Sequence, residues 1–338
     1  MRISVVWHAA VQAHEAAPLW QDAARRPSGF AAALLLALGL WQGPAHAQDL
    51  TPRAYVVAPV GSNAVVLTYS HLGGSVQLSS ASPLTGAHSD VDLAIAGYYR
   101  SFDFFGRSAN FTVSVPYGFG DFKGTVAEVP KESRRSGSLD VIARLGVNLL
   151  GGPAMQPAEF TKWRQNVLLG ASLTVVAPSG QYDPTRLINF GGNRWAFKPE
   201  LGYSQRWGNW VLDAYLAGWF FTDNSEYFSH NSYFPGTQSR EQRPVGAVEA
   251  HLSYDVQPRL WISLDANYWR GGEIQLNGVT NPLTEQSSSR LGVTASVPLT
   301  RHQSIKLSLS DGAYVRYGGN YRSISLGWQY GWLNAPRR

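Results

Sequence analysis

Side chains that could carry acid–base or metal chemistry come close together at two places in this sequence. The stretch "SHNSYF" at 229–234 sets Ser229 beside His230, the residue types of a nucleophile and its general base. A triad needs three groups that converge from different directions, and neighbouring residues of one loop seldom do so. Glu249 and His251 stand two residues apart, a spacing that puts both side chains on one face of a strand. Because no third metal ligand is evident, a hydrogen-bonded pair is the simpler interpretation.

Composition excludes several other kinds of site. The chain has no cysteine, which removes disulfides, thiolate metal ligands and a cysteine nucleophile. Its 28 Lys and Arg against 23 Asp and Glu are scattered, with no basic stripe to follow a phosphate backbone, so no nucleic-acid partner is expected. No phosphate loop or dinucleotide fingerprint precedes a helical segment. The sequence therefore predicts a protein that is not an enzyme, with no catalytic residue, no metal and no cofactor.

The elements that hold these side chains alternate with a period of two. In "NWVLDAYLAGWFF", residues 209–221, the phase from Trp210 to Phe220 is apolar throughout, whereas the other phase carries Asp213 among rings. In "RWAFKPELGYSQRW", residues 194–207, all the charged side chains share one phase. Such alternation indicates β-strands with one apolar face and one polar face.

Twelve segments show this pattern, and most have the ten or so residues that a tilted strand needs to cross a bilayer. The predicted strands are 63–72, 89–101, 108–119, 138–150, 164–177, 194–206, 209–222, 240–255, 259–270, 288–299, 303–316 and 320–332. Tight joins at one end alternate with long polar joins at the other, which is typical of an outer-membrane barrel. The predicted fold class is therefore all-β, a transmembrane antiparallel β-barrel of about twelve strands. Two joins depart from the rule: 151–163 is long enough for a helical turn, and 317–320 is short.

A sheet in hydrocarbon must close, because an open edge would leave backbone groups without hydrogen-bond partners. The regular apolar phase then faces lipid and the mixed phase faces the lumen, which also places Asp92, Arg100 and Asp140 inside. Two interpretations of the lumen stay open, a solvated structural network and a path for a solute. A soluble exported β-sandwich or closed barrel is the alternative fold, and it would leave the mixed-phase tryptophans in water. The predicted lumen residues are Arg144, Lys198, Glu200, Asp213, Trp219, Phe221, Glu249, His251, Trp261, Asp265, Arg290 and Lys306.

Three segments make up the chain. Residues 1–47 read as a secretory signal peptide, with Arg25 and Arg26 ahead of the apolar run 30–41 and a small-residue cleavage site at 45–47. Residues 48–62 are interpreted as a short periplasmic lead-in and residues 63–334 as the barrel. We therefore expect export by the general secretory route to the outer membrane of a Gram-negative bacterium. The expected partners are outer-membrane lipid and the barrel-assembly machinery.

Four stretches carry a family resemblance: "PRAYVVAPVGSNAVVLTYSH", "PYGFGDFKG", "LGASLTVVAPSGQYDPTRLINFGGNRWAFKPELGYSQ" and "WFFTDN". They resemble the transporter family known as "MetA-pathway of phenol degradation" over nearly all of the chain after the signal peptide. Residues 180–200 are the most specific part of the match. The resemblance implies an outer-membrane barrel found in contexts of aromatic degradation, and it assigns no catalytic residue.

The stretch 180–200 contains a predicted loop at the barrel mouth. Asp183-Pro184 starts a turn, and Gly191-Gly192 ends the loop with free backbone angles. We expect this mouth loop either to fold over the extracellular mouth or simply to pack against its neighbours. Its candidate site residues are Asp183, Arg186, Asn193 and Arg194.

The predicted function is passive uptake of small hydrophobic or aromatic molecules through the outer membrane. In this hypothesis inward cations attract an acid group and inward rings contact the solute. The cations are Arg144, Lys198 and Arg290, and the rings are Trp219, Phe221 and Trp261. Two alternatives stay open, a barrel enzyme that acts on lipids and a non-conducting structural barrel.

Overall fold

The structure is a computed structural model that describes residues 50–77, 84–126, 129–232 and 234–334. The predicted signal peptide, residues 1–47, lies outside the described residues. Within the described ranges, no helix has the length and apolar character needed to cross a membrane.

Strands dominate the described residues, with one four-residue helix, α1 (Pro157–Phe160), and a short 3₁₀ turn (Pro282–Thr284). The strands are β1 (Ser62–Gln77), β2 (Leu84–Phe104), β3 (Arg107–Val126), β4 (Val129–Ser138), β5 (Val141–Leu150), β6 (Val167–Ala177), β7 (Ala196–Trp207), β8 (Trp210–Phe221), β9 (Arg240–Gln242), β10 (Val245–Gln257), β11 (Leu260–Gly271), β12 (Ile274–Leu276), β13 (Val279–Asn281), β14 (Gln286–Pro298), β15 (Gln303–Val315) and β16 (Gly318–Leu333). Strands β9, β12 and β13 form a small separate sheet outside the barrel wall.

The remaining strands form one ring. Their order is β2-β1-β16-β15-β14-β11-β10-β8-β7-β6-β5-β3-β4, and the pairing of β2 with β3 closes it. The first and last strands pair antiparallel from Ser62↔Leu333 to Gln77↔Gly318. Strands β4 and β5 share one position in the wall, because β3 pairs with β5 in its lower part and with β4 in its upper part. The result is a closed antiparallel barrel of twelve strands, which confirms the predicted fold class.

Several strands extend further than the sequence pattern predicts. β2 has 21 residues and β3 has 20, so much of the expected loop 120–137 is instead the hairpin of β3 with β4. Both faces of a hairpin above a bilayer meet water, so no apolar alternation marks it in the sequence. The predicted strand 240–255 is divided into β9 and β10 around Pro244, which has no N–H to donate to a ladder.

The outward face of the wall is apolar, as the alternation predicts. Leu216, Leu264 and Leu291 are each more than half exposed on it, and aromatic side chains stand near the strand ends. Asp92 and Arg100 were expected inside, and this prediction is wrong: in β2 they share the outward phase with exposed Ala94 and Ala96. The apolar phase of that strand instead packs inward, because the mouth loop inserts apolar side chains against it. The packed residues are Val91, Leu93, Phe122, Leu139 and Phe190.

Residues 50–61 precede β1 and lie inside the barrel, where the sequence had suggested a periplasmic lead-in. Val57 is 2% exposed and packs on Met155 and Leu168. Met155 belongs to the long connection 151–163, whose predicted helical turn is confirmed as α1. Phe160 and Trp163 of the same connection pack against this cluster. The residues of this long connection therefore form the surface against which the N-terminal segment packs.

We predict that a charge on the lipid face destabilises the barrel according to its depth. Leu264 is 64% exposed near the middle of β11, so Leu264→Arg should lower the free energy of unfolding by about 2–4 kcal/mol. Val256→Arg, at the outward periplasmic rim, should cost only about 0–1 kcal/mol. Urea titration of the barrel in lipid vesicles measures both. Equal losses for the two variants would contradict the assignment of the lipid face.

Candidate lumen binding site

Tyr55 anchors the N-terminal segment to the barrel wall. Its ring lies over Gly170 and Gly202, which are paired across β6 and β7. A Cβ atom added to either glycine would come within 2.1 Å of a ring carbon of Tyr55, so only glycine leaves room for the ring. The Tyr55 hydroxyl lies 3.1 Å from Ser172 Oγ and donates to Glu200 Oε1 at 3.0 Å. The segment is therefore held by close packing and by hydrogen bonds at once.

Arg53 makes a second attachment, nearer the periplasmic end. Its Nη2 lies 2.7 Å from Asp255 Oδ1, and its guanidinium stacks 4.5 Å from the Trp261 ring centroid. The Arg53 backbone N–H donates to Asp213 Oδ2 at 3.2 Å. The Ala54 N–H donates to the Tyr215 hydroxyl at 3.0 Å. Residues predicted to face an open lumen thus bind the chain's own N-terminal segment.

A network of charges crosses the barrel interior above this segment. Lys198 Nζ lies 2.8 Å from Glu200 Oε2 and 3.2 Å from Glu249 Oε1, so its charge is shared by two carboxylates. His251 lies 3.6 Å from Glu249 and 2.9 Å from Asp265 through its two ring nitrogens. Glu249 and His251 therefore belong to one network of charged groups, but the 3.6 Å between them is too long for the predicted hydrogen bond. Within the described residues, no group of three or more His, Asp or Glu is arranged to hold a metal ion.

A cavity of about 320 Å³ lies between this network and the opposite wall of the barrel. One side is polar and includes Arg144, Lys198, Glu200 and Glu249. Thr51 and Ala54 of the N-terminal segment also line it. The facing side is largely apolar and hydroxylic, from β1, β2, β3 and β5. Its inward residues are Val66, Thr68, Ile95, Gly97, Tyr99, Thr112 and Ser114, with Ile142 of β5 at its border with Arg144; Tyr98 and Val113, on the outward phase, border it between them.

Two apolar clusters adjoin the cavity. The first joins Trp219, Trp269 and smaller side chains of β6, β7, β8 and β10, with Ile142 packed against it. Trp219 and Ile142 also line the cavity. The second is the cluster of β2, β3 and the mouth loop, and Ile95 connects it to the cavity. Apolar side chains are thus continuous from the mouth loop to the cavity wall.

The mouth loop is ordered by its own hydrogen bonds and by the barrel. Asp183 Oδ1 accepts from the Thr185 hydroxyl at 2.6 Å, and this bond lowers the pKa of the Asp183 carboxyl. Arg186 Nε lies 2.8 Å from Asp183 Oδ2. Asn193 donates to Asn224 at 3.0 Å. Asp140, buried where β4 ends and β5 begins, accepts from the N–H groups of Gly180 and Gly192 and so fixes both ends of the loop.

Arg194 connects the end of the mouth loop to β8 and to the small sheet of β9, β12 and β13. It is 6% exposed, and its guanidinium stacks 4.3 Å from the Phe221 ring centroid. Its Nη2 donates to Gln242 Oε1 at 2.6 Å. Burial lowers the pKa of Arg194. All four mouth-loop residues predicted from the sequence therefore lie in one ordered structure.

The residues predicted to line the lumen all project inward, but they divide into separate groups. Arg144, Lys198, Glu200, Trp219 and Glu249 line the cavity. The others contact the N-terminal segment, pack near the mouth loop, or lie elsewhere along the inner wall. These are Asp213, Phe221, His251, Trp261, Asp265, Arg290 and Lys306.

Sequence reasoning missed Arg53 and Tyr55. They stand in the stretch "PRAYVV", which has no strand alternation, and their partners are more than a hundred residues away in the sequence. The Ser229-His230 stretch bonds to its own loop and, through the Ser229 N–H, to the Pro184 carbonyl of the mouth loop at 2.7 Å. Ser229 Oγ accepts from the Gln238 N–H at 2.8 Å, whereas His230 Nε2 lies 3.5 Å from Thr237 Oγ1.

A closed twelve-strand barrel with a lipid-facing apolar exterior and a charged interior is an outer-membrane β-barrel of a Gram-negative bacterium. The family model described as "Putative MetA-pathway of phenol degradation" matches residues 68–326, and the chain belongs to this family. The resemblance seen in the sequence is therefore confirmed.

A solved structure shows the same fold. The COG4313 outer membrane channel from Pseudomonas putida F1 is similar with a TM-score of 0.70 and 20% identity, over 84% of this chain and 100% of that chain. The β domain of the Bordetella autotransporter BrkA has a TM-score of 0.49 and 12% identity, over 80% of this chain and 100% of that chain. No curated protein matches this chain.

We predict that a side chain at Gly202 releases the N-terminal segment. Gly202→Val places atoms where the Tyr55 ring lies, so the segment should leave its seat and the single-channel conductance in a planar bilayer should rise. Gly246→Val is the matched control, because Gly246 lies on the outward face with no side chain nearby. An unchanged conductance in the Gly202 variant would show that residues 50–61 do not limit ion flow.

We predict that Lys198 is required for the stability of the charge network. Lys198→Met leaves Glu200 and Glu249 buried without their shared cation, and removal of one partner from a buried ion pair costs about 3–5 kcal/mol. The double variant Lys198→Met/Glu249→Gln should recover part of that loss. Chemical unfolding in detergent measures both. A neutral effect of Lys198→Met would mean that water compensates the carboxylates.

Proposed function

We propose that this barrel takes up small hydrophobic or aromatic compounds across the outer membrane by a passive route. The observation that carries the proposal is the lumen cavity of about 320 Å³ with one largely apolar wall. Ligand pockets in proteins commonly have about 300–1,000 Å³, so this cavity suits a molecule of one or two rings. The family's description links it to phenol degradation, which supports an aromatic solute.

The route we propose follows the apolar side chains. A solute enters near Ile188 and Phe190 of the mouth loop, crosses the cluster that includes Leu93 and Ile95, and reaches the cavity. Burial of a ring against these residues removes apolar area from water at about 25 cal/mol per Å². The N-terminal segment lies beneath the cavity and restricts passage of ions and water. The protein acts as a channel and not as an enzyme in this proposal.

Two partners complete the proposal. Outer-membrane lipid surrounds the apolar exterior, and the barrel-assembly machinery inserts the chain, because a closed sheet cannot thread itself through a bilayer strand by strand.

We predict that a filled cavity blocks uptake. A Cβ at Gly97 would point beside Ser114 and Val66 at ordinary contact distances, so Gly97→Phe should occupy the cavity without strain in the backbone. Uptake of radiolabelled toluene by cells that express the variant should fall toward the level of cells without the protein. Gly246→Phe adds the same ring to the lipid face and should leave uptake unchanged. Normal uptake by the Gly97 variant would place the route elsewhere.

A further inference from the structure

Arg144 is the cation of the cavity that has the weakest attachments. Its Nη1 reaches Asn110 Oδ1 at 3.4 Å, which is at the long limit of a hydrogen bond. Its Nη2 is buried, makes no hydrogen bond and lies 3.6 Å from Glu200 Oε1. A buried donor without an acceptor is costly, so this nitrogen gains free energy from any acceptor that reaches it.

The other cations among the predicted lumen residues are differently placed. Lys198 is held between Glu200 and Glu249 and has no spare charge for a solute. Arg290 stacks on Tyr321 and donates to Ser310, and it does not line the cavity. Lys306 projects into the lumen but does not line the cavity, and none of the ion pairs among the described residues involves it. Arg144 alone of these four combines a cavity position with a donor that lacks a bond.

The same guanidinium touches the N-terminal segment. Its carbon atom lies 5.0 Å from the centroid of the Tyr55 ring, a cation–π contact. Glu200 accepts the Tyr55 hydroxyl hydrogen bond and is also the carboxylate nearest to Arg144. One cation therefore lies between the cavity and the residue that anchors residues 50–61.

We propose that Arg144 binds the carboxylate of an aromatic acid in the cavity, and that this binding loosens the N-terminal segment. The inference rests on the proposed function and names its solute class. A guanidinium presents paired N–H donors that match the two oxygens of a carboxylate. The ring of the acid lies against Val66, Ile95 and Ile142. When Arg144 turns to the ligand it leaves the Tyr55 ring, and one of the contacts that hold the segment is lost.

The first test compares benzoate with benzyl alcohol, which has a ring of the same size and no charge. Saturation-transfer NMR titrations use the whole mature protein in lipid nanodiscs. Benzoate should bind more tightly than benzyl alcohol. The Arg144→Gln substitution should weaken the affinity for benzoate by about tenfold or more and leave the affinity for benzyl alcohol unchanged. Lys306→Gln also removes one positive charge from the lumen and should change the affinity for neither ligand. Arg144→Lys keeps the charge without the planar fork and should retain part of the benzoate affinity.

The outcomes separate the two proposals. If benzyl alcohol binds but benzoate binds no better, or if Arg144→Gln and Lys306→Gln weaken benzoate equally, the acid-binding role of Arg144 is wrong and the uptake proposal stands. If neither compound binds the wild-type protein, the cavity is not a solute site and both proposals fail. A gel-mobility shift on heating checks that each variant is a folded barrel.

The second test follows the N-terminal segment directly. The chain has no cysteine, so Val57→Cys introduces one thiol, and its position is buried while the segment is seated. Benzoate should accelerate labelling of this thiol by a maleimide, whereas benzyl alcohol should not. In the Arg144→Gln background the basal rate should be higher and benzoate should have no further effect; with Lys306→Gln the benzoate response should persist. If benzoate does not change the labelling rate of Val57→Cys in the otherwise wild-type protein, the proposed coupling between ligand binding at Arg144 and the N-terminal segment is wrong.

Discussion

The pairing of every backbone N–H and C=O within the wall is the constraint on which the rest of this structure depends. Hydrocarbon offers no hydrogen-bond partner, so the sheet must close, and the long ladder between β1 and β16 does this. Closure fixes which phase of each strand meets lipid. It also creates an interior that cannot be filled by lipid and must be filled by water, by side chains or by the chain itself. This protein uses the chain itself for the periplasmic half, through residues 50–61.

The interior therefore has two kinds of surface with different tasks. On the side of β7, β8, β10 and β11, charges neutralise each other in a buried network around Lys198 and His251, which keeps that wall fixed. On the side of β1, β2 and β3, apolar and hydroxyl side chains face inward and favour contact with a nonpolar solute. A cavity between two such walls suits an amphiphilic molecule. The N-terminal segment touches both, which is why its attachment and the contents of the cavity share residues.

Sequence alternation predicted the barrel well where one face of a strand meets lipid and the other meets a polar lumen. β8 and β10 are examples, with Asp213 and Glu249 correctly placed inside. The same rule misplaced Asp92 and Arg100, since the inward phase of β2 is itself apolar and hydrophobicity no longer distinguishes lipid from core. The packing site of Tyr55 could not be predicted from any local sequence pattern. It depends on Gly170 and Gly202, which the sequence presents as two unremarkable strand glycines. Contacts of that kind become visible only when distant segments are brought together.

The hairpin of β2, β3 and β4 carries a consequence for how the molecule meets its surroundings. About ten residues suffice to cross the bilayer, yet β2 has 21 and β3 has 20. At about 3.3 Å per residue, the surplus raises one sector of the rim well above the membrane plane. Across the ring, the connections between β8 and β10 and between β11 and β14 carry the small sheet of β9, β12 and β13. The rim is therefore extended on two opposite flanks, by the hairpin and by the small sheet, and these flanks are what the sugar chains of neighbouring lipopolysaccharide, or an antibody from outside the cell, would touch first.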